Sequence, residues 1–103
     1  MRSAEVFVGA TRAGTLEQSD DGRAFVFRYD PAYRGAPVSL AMPVAGREFA
    51  FDDFPPFFDG LLPEGPQLAA LLLRAKLDAR DRMGQLLAVG EDVVGNVSIR
   101  PPR

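Results

Sequence analysis

The sequence predicts an α+β fold, a mainly antiparallel sheet of about five strands with three short helices packed on one side. Three observations carry this. The first half of the chain alternates apolar and polar residues between turn signals, as at Phe25, Phe27 and Tyr29, because successive side chains of a strand point to opposite faces. The second half spaces its apolar residues by three and four, as at Phe54, Phe57, Phe58, Leu61 and Leu62, the stripe of an amphipathic helix. The order is strands, then helices, then one more strand, which segregates the helices to one face of the sheet. At 103 residues the chain is too short for two separate cores, so residues 1–103 are read as one domain.

Taken in order, residues 5–8 are strand formers. Gly9 to Thr11 offers a turn before Ala13, Gly14, Thr15 and Leu16, so the chain opens as a hairpin. Ser19-Asp20-Asp21-Gly22 is a second turn signal, with short acids that bond the local backbone. In the strand after it, Phe25, Phe27 and Tyr29 share one face and Val26 and Arg28 the other, until Asp30-Pro31 ends it. Residues 37–43 alternate again, with Val38, Leu40 and Met42 on one face. The bounding prolines Pro37 and Pro43 make this a short strand near an edge.

The first helix carries Phe54 to Leu62, with Pro55 and Pro56 in its opening turn and Pro63 closing it. Pro66 begins the second, which places Leu68, Leu71, Leu72 and Ala75 on one face and runs to about Leu77. The third starts at Asp78 or Asp81, either of which has the side chain for an N-cap, and buries Met83, Leu86 and Leu87 before Gly90 supplies a stop. A last strand, residues 94–100, points Val97 and Ile99 inward and Asn96 and Ser98 to water. The expected common core is Phe25, Phe27, Val38, Leu40, Leu72, Leu86, Val97 and Ile99.

The chemistry available is narrow. There is no cysteine, so disulfides and thiolate metal sites are excluded and a reducing cytoplasm is the expected location. There is no histidine, which removes the commonest general base and metal ligand. The acid pairs Asp52-Asp53 and Glu91-Asp92 lack the alternating donors of a calcium loop, and no glycine cluster opens a helix to cradle phosphate. The sequence therefore predicts no catalytic residue, no metal and no cofactor. A net charge of −2 leaves no excess of cations to displace counterions from a phosphate backbone, so direct nucleic-acid binding is not expected. No apolar run is long enough to span a membrane.

The most specific string is Phe57-Phe58-Asp59-Gly60-Leu61-Leu62-Pro63-Glu64-Gly65. It resembles the FFDNLLP segment in the N-terminal subdomain of HipA-type toxin kinases. Three further stretches agree in order: Phe27-Arg28-Tyr29; Pro37-Val38-Ser39-Leu40-Ala41-Met42-Pro43, similar to that family's PLSLSLP; and Leu86-Leu87 with Gly90 and Val94-Gly95-Asn96-Val97, similar to its LL..IG.D.VGAV. The resemblance spans nearly the whole chain.

In that family a kinase body follows this subdomain and holds the ATP site. The resemblance implies the accessory piece without the catalytic one, in its stand-alone form similar to the HipS antitoxin of three-component HipBST systems. The implied partner is a HipA-like serine/threonine kinase toxin encoded by a neighbouring gene, with a DNA-binding HipB-like protein as a third member of the complex. An N-terminal regulatory subdomain cut from a full-length HipA-type kinase is the alternative. An independent peptide-binding module is a second, with no dedicated feature in its favour.

Aromatic and leucine stripes at helical spacing are usually core, so most of Phe57, Phe58, Leu61 and Leu62 are read first as packing residues. The partner-binding residues are expected at the corner that follows, Leu62, Pro63, Glu64 and Gly65, where two prolines fix the chain and let side chains be presented at low entropic cost. Asp59, polar within the stripe, is expected either to cap locally or to meet a partner arginine.

Overall fold

The computed structural model describes residues 2–90 and 96–102. Strands β1 (Arg2–Val8) and β2 (Thr11–Gln18) form the opening hairpin, and β3 (Phe25–Tyr29) and β4 (Glu48–Phe51) extend it as a meander. Strand β5 (Val97–Arg100) returns to pair with β1. All pairings are antiparallel and the order is β4-β3-β2-β1-β5. Three helices lie between β4 and β5 in the chain: α1 (Pro56–Asp59), α2 (Gly65–Ala75) and α3 (Arg82–Val89). This is the α+β architecture the periodicities predict.

One sheet face is apolar. Ala4, Val6, Leu16, Phe25, Phe27, Tyr29 and Ile99 bury there against Phe54 and Phe58, and against Met83 and Leu86 of α3. Phe27 is fully buried, edge-on to Tyr29 at 4.8 Å and tilted against Phe58 at 5.9 Å between ring centroids. The other face is charged and paired across the strands. Arg28 bonds both Glu17 and Glu48, Arg12 lies 3.3 Å from Glu5 and 3.6 Å from Asp30, and Arg100 covers the Phe7 ring at 4.2 Å.

Residues 37–43 do not join the sheet. Their one bridge, Ser39 with Met42, closes a tight turn on itself, so Val38 and Met42 turn inward while Leu40, expected in the core, stands 95% exposed at the tip. The free edge of β3 is instead taken by β4, where Phe49 and Phe51 are half-buried between exposed Glu48 and Ala50. Two prolines deprive 37–43 of ladder donors. Residues 48–51 have none and win the edge.

The stripe from Phe54 to Leu62 yields a single α-helical turn, not a long helix. The Asp59 and Gly60 amides bond the Pro55 and Pro56 carbonyls at 3.0 Å each, but Leu61 and Leu62 tighten to Phe58 and Asp59 at 3.1 Å. Gly60 is a poor helix former, and Pro63 disfavours the helical region at Leu62. Of the two candidate caps for α3, Asp81 is used, accepting from the Gly84 amide at 3.1 Å. Gly90 ends α3 in right-handed geometry. Its glycine is required by space, since a Cβ would collide with the main chain of Ile99 in β5.

Of the other expected core residues, Phe25, Val38, Leu86 and Ile99 are buried, Val97 is half-buried against the core, and Leu72 is only half-buried because Leu71 takes the inward position of α2. Val94, Gly95, Glu91 and Asp92 lie outside the described residues.

Candidate functional site

The corner is anchored from below. Phe58 is fully buried against Phe27 and touches Phe57 at 5.2 Å, which fixes the end of α1 on the core. Leu61, Leu62 and Pro63 follow half-buried, and Glu64, Gly65 and Pro66 are exposed. Glu64 is the N-cap of α2 in extended geometry (φ −130°, ψ 165°), and its carboxylate makes no capping bond. Gly65 follows at φ 58° with no atom within 4 Å of where a Cβ would sit. Glycine is needed there for the backbone angle, and the surface around it is open.

Asp59 remains half-exposed and faces Arg82 of α3 at 3.7 Å. The arginine it meets is therefore in its own chain. A pair this exposed adds little stability, so the contact does not remove either group from use.

Leu62 and Pro63 form a wall between two hollows. On one side lies a space of about 570 Å³ bounded by Leu61, Ala70, Leu71 and Val89, with Gln67 and Arg74 at its lip. On the other is a smaller one of about 190 Å³, bounded by Asp59, Glu64, Leu68 and Arg82. All five sequence-predicted residues thus fall on one surface: Asp59, Glu64 and the wall line the smaller hollow, and Gly65 adjoins it. A third hollow of about 460 Å³ lies between residues 30–36 and the turn end of the β1–β2 hairpin, at Val8, Thr11 and Arg12. There Arg12 and Asp30 answer each other at 3.6 Å.

Helix α2 completes the surface. Leu71 is buried, but it and its neighbours Leu68 and Leu72 lie outside the main core cluster, and Leu73 is 83% exposed. Sequence reasoning did not single out Leu73. The signal was present, since three successive leucines on a helix advance about 100° each and cannot share one face. Residues 65–73 contain no charge, and Pro66, Gln67, Ala69 and Ala70 are exposed with Leu73. Depletion of charge over an exposed apolar face is what the buried centre of a protein interface looks like. Among the described residues no group of acids is placed to hold a metal ion, and no helix is long and apolar enough to cross a membrane.

A five-stranded antiparallel sheet under three short helices, displaying an apolar corner, defines the class as a small α+β domain. The chain belongs to the HipA N-terminal domain family, whose family model matches residues 4–100. It is similar to a solved structure of the N-terminal domain of HipA toxin, with a TM-score of 0.79 and 31% identity, covering 100% of this chain and 94% of that one. It is also 36% identical over 100 residues to an uncharacterized protein of Haemophilus influenzae, covering 97% of this chain and 92% of that protein. That relative is itself little longer than this domain.

Proposed function

We infer that the chain is the antitoxin or regulatory subunit of a bacterial toxin–antitoxin system, binding and restraining a HipA-like serine/threonine kinase in the cytoplasm through the Leu62–Gly65 corner. The observation that carries this reading is the family match over residues 4–100, which makes the chain the counterpart of a kinase's accessory domain and not of its catalytic body. The end of its distinctive string, Glu64 and Gly65, is exposed beside the uncharged face of α2. A HipB-like DNA-binding protein completes the complex in this reading.

The test is co-expression with the neighbouring kinase, scoring both growth and co-purification. Glu64→Arg and Asp59→Arg each reverse a charge on an exposed side chain, so thermal stability should stay within about 0.5 kcal/mol. At an interface each places a wrong-sign group against the partner and should cost about 2 kcal/mol or more of affinity. If both variants fold normally and still neutralise the kinase, the corner is structural only.

The likeness to the N-terminal domain of HipA toxin favours a second reading, in which the same surface packs within one polypeptide against its own kinase body. In that case the isolated chain should fail to bind a complete HipA-like kinase supplied in trans.

A further inference from the structure

Residues 35–46 form the longest uncharged run in the sequence, twelve residues between Arg34 and Arg47. Most of it is on the surface: Ala36, Pro37, Leu40, Ala41, Pro43 and Ala45 are all exposed. In a chain that is 25% charged, a surface segment of this length without a charge calls for a reason.

The run is also braced. Tyr29, 3% exposed, accepts the Val38 amide on its hydroxyl at 2.9 Å and donates the same hydroxyl to the Met42 carbonyl, so one buried side chain ties both ends of the turn. Within it the Met42 amide bonds the Ser39 carbonyl at 3.0 Å, and the Ala41 amide bonds the Ser39 hydroxyl at 3.2 Å. Val38 and Met42 are buried on either side of Leu40. The leucine is thus held out from the protein on a turn whose ends cannot follow it, with Pro37 and Pro43 stiffening the approaches.

A lone exposed leucine is ordinary. An exposed leucine at the tip of a braced, uncharged turn is preorganised, and preorganisation lowers the entropic cost of docking. The charges nearest in sequence are Arg34 and Arg47, whose recorded hydrogen bonds go to the carbonyls of Pro31, Tyr33 and Asp30. Neither forms an ion pair among the described residues. The base of the turn is cationic while its tip is apolar.

We propose that this turn is a second docking element: Leu40 inserts into a concave apolar pocket on the kinase, and carboxylates at the rim of that pocket face Arg34. The inference rests on the kinase-binding reading given above but uses a surface separate from the corner.

The probe is the neighbouring HipA-like kinase, titrated with the wild-type chain and with Leu40→Ala, Leu40→Glu, Arg34→Glu and Glu64→Arg. Urea midpoints of the Leu40 variants should match wild type, because the side chain is in solvent. Leu40→Ala should weaken binding about tenfold and Leu40→Glu about a hundredfold, as for a central anchor. Arg34→Glu should weaken it less, with an effect that fades as salt is added. Wild-type affinity in Leu40→Glu alongside loss in Glu64→Arg overturns this inference and leaves the kinase reading standing. No binding by the wild-type chain overturns both. A wild-type dimer in sedimentation that becomes monomeric in Leu40→Glu makes a second copy of this chain the occupant and overturns the kinase assignment. A lowered urea midpoint in Leu40→Glu means that Leu40 packs within the fold, and also overturns it.

Discussion

Phe27 stands where the two halves of the chain meet, with a β3 neighbour on one side of its ring and α1 on the other. Its ring is fully buried, so Phe27→Ala should cost about 3–5 kcal/mol, read as a lowered urea midpoint with an unchanged slope. Asp81 carries a different kind of load. It accepts from Arg2 and caps α3, and the Arg2 hydrogen bond, ahead of the Gly84 amide, holds its carboxyl below the usual aspartate range against the opposing effect of burial. A carboxyl lowered in the folded state contributes stability that is fully present above its unfolded pKa, about 4, and is lost as pH falls through the lower folded value. Asparagine still caps a helix. The stability gap between wild type and Asp81→Asn should therefore be widest at neutral pH and close as pH drops below about 4. A gap that stays constant to acid would mean that the Arg2 contact contributes nothing.

Elements whose period agreed with their turn chemistry were legible in advance: the β1–β2 hairpin, β3, α2 and α3 lie where alternation and capping residues put them. The misreadings share a cause, which is competition between segments. Residues 37–43 and 48–51 both alternate, and only the geometry of the β3 edge decides between them. The Phe54–Leu62 stripe was legible as a buried surface but not as a single turn, because apolar spacing is blind to Gly60 and Pro63. The corner was legible from its prolines. The hollows beside it were not, since they depend on how α2 leans on α3. Gly90 is the element-scale contact most open to test. Its approach to β5 leaves no room for a methyl, so Gly90→Ala should cost about 1–3 kcal/mol by overpacking, with the loss concentrated in hydrogen-exchange protection of the β5 amides. An alanine variant as stable as wild type would show that α3 can shift away from the sheet at no cost.

At the scale of the whole molecule, the apolar face of the sheet builds the core, the opposite face carries ion pairs across its strands, and the large exposed apolar side chains stand on α2, as Leu73, and at the Leu40 turn. The return of β5 to β1 has a mechanical side. Glu5 lies opposite Arg100, and Val8 opposite Val97, so the beginning of β1 and the end of β5 emerge side by side. Tension applied to these two ends peels the ladder one hydrogen bond at a time. Tension applied between Arg2 and Asn96, which sit at opposite ends of the same ladder, loads all of its bonds together in shear. The chain has no cysteine of its own, so handles can be attached at introduced cysteines alone. A single-molecule stretching experiment should find the lower rupture force for handles at residues 2 and 101 and the higher for handles at 2 and 96, and equal forces would mean that the β1–β5 pair is not the first to give. A partner that pulled on both ends of this domain would find a zipper, and one that pulled across it a clasp.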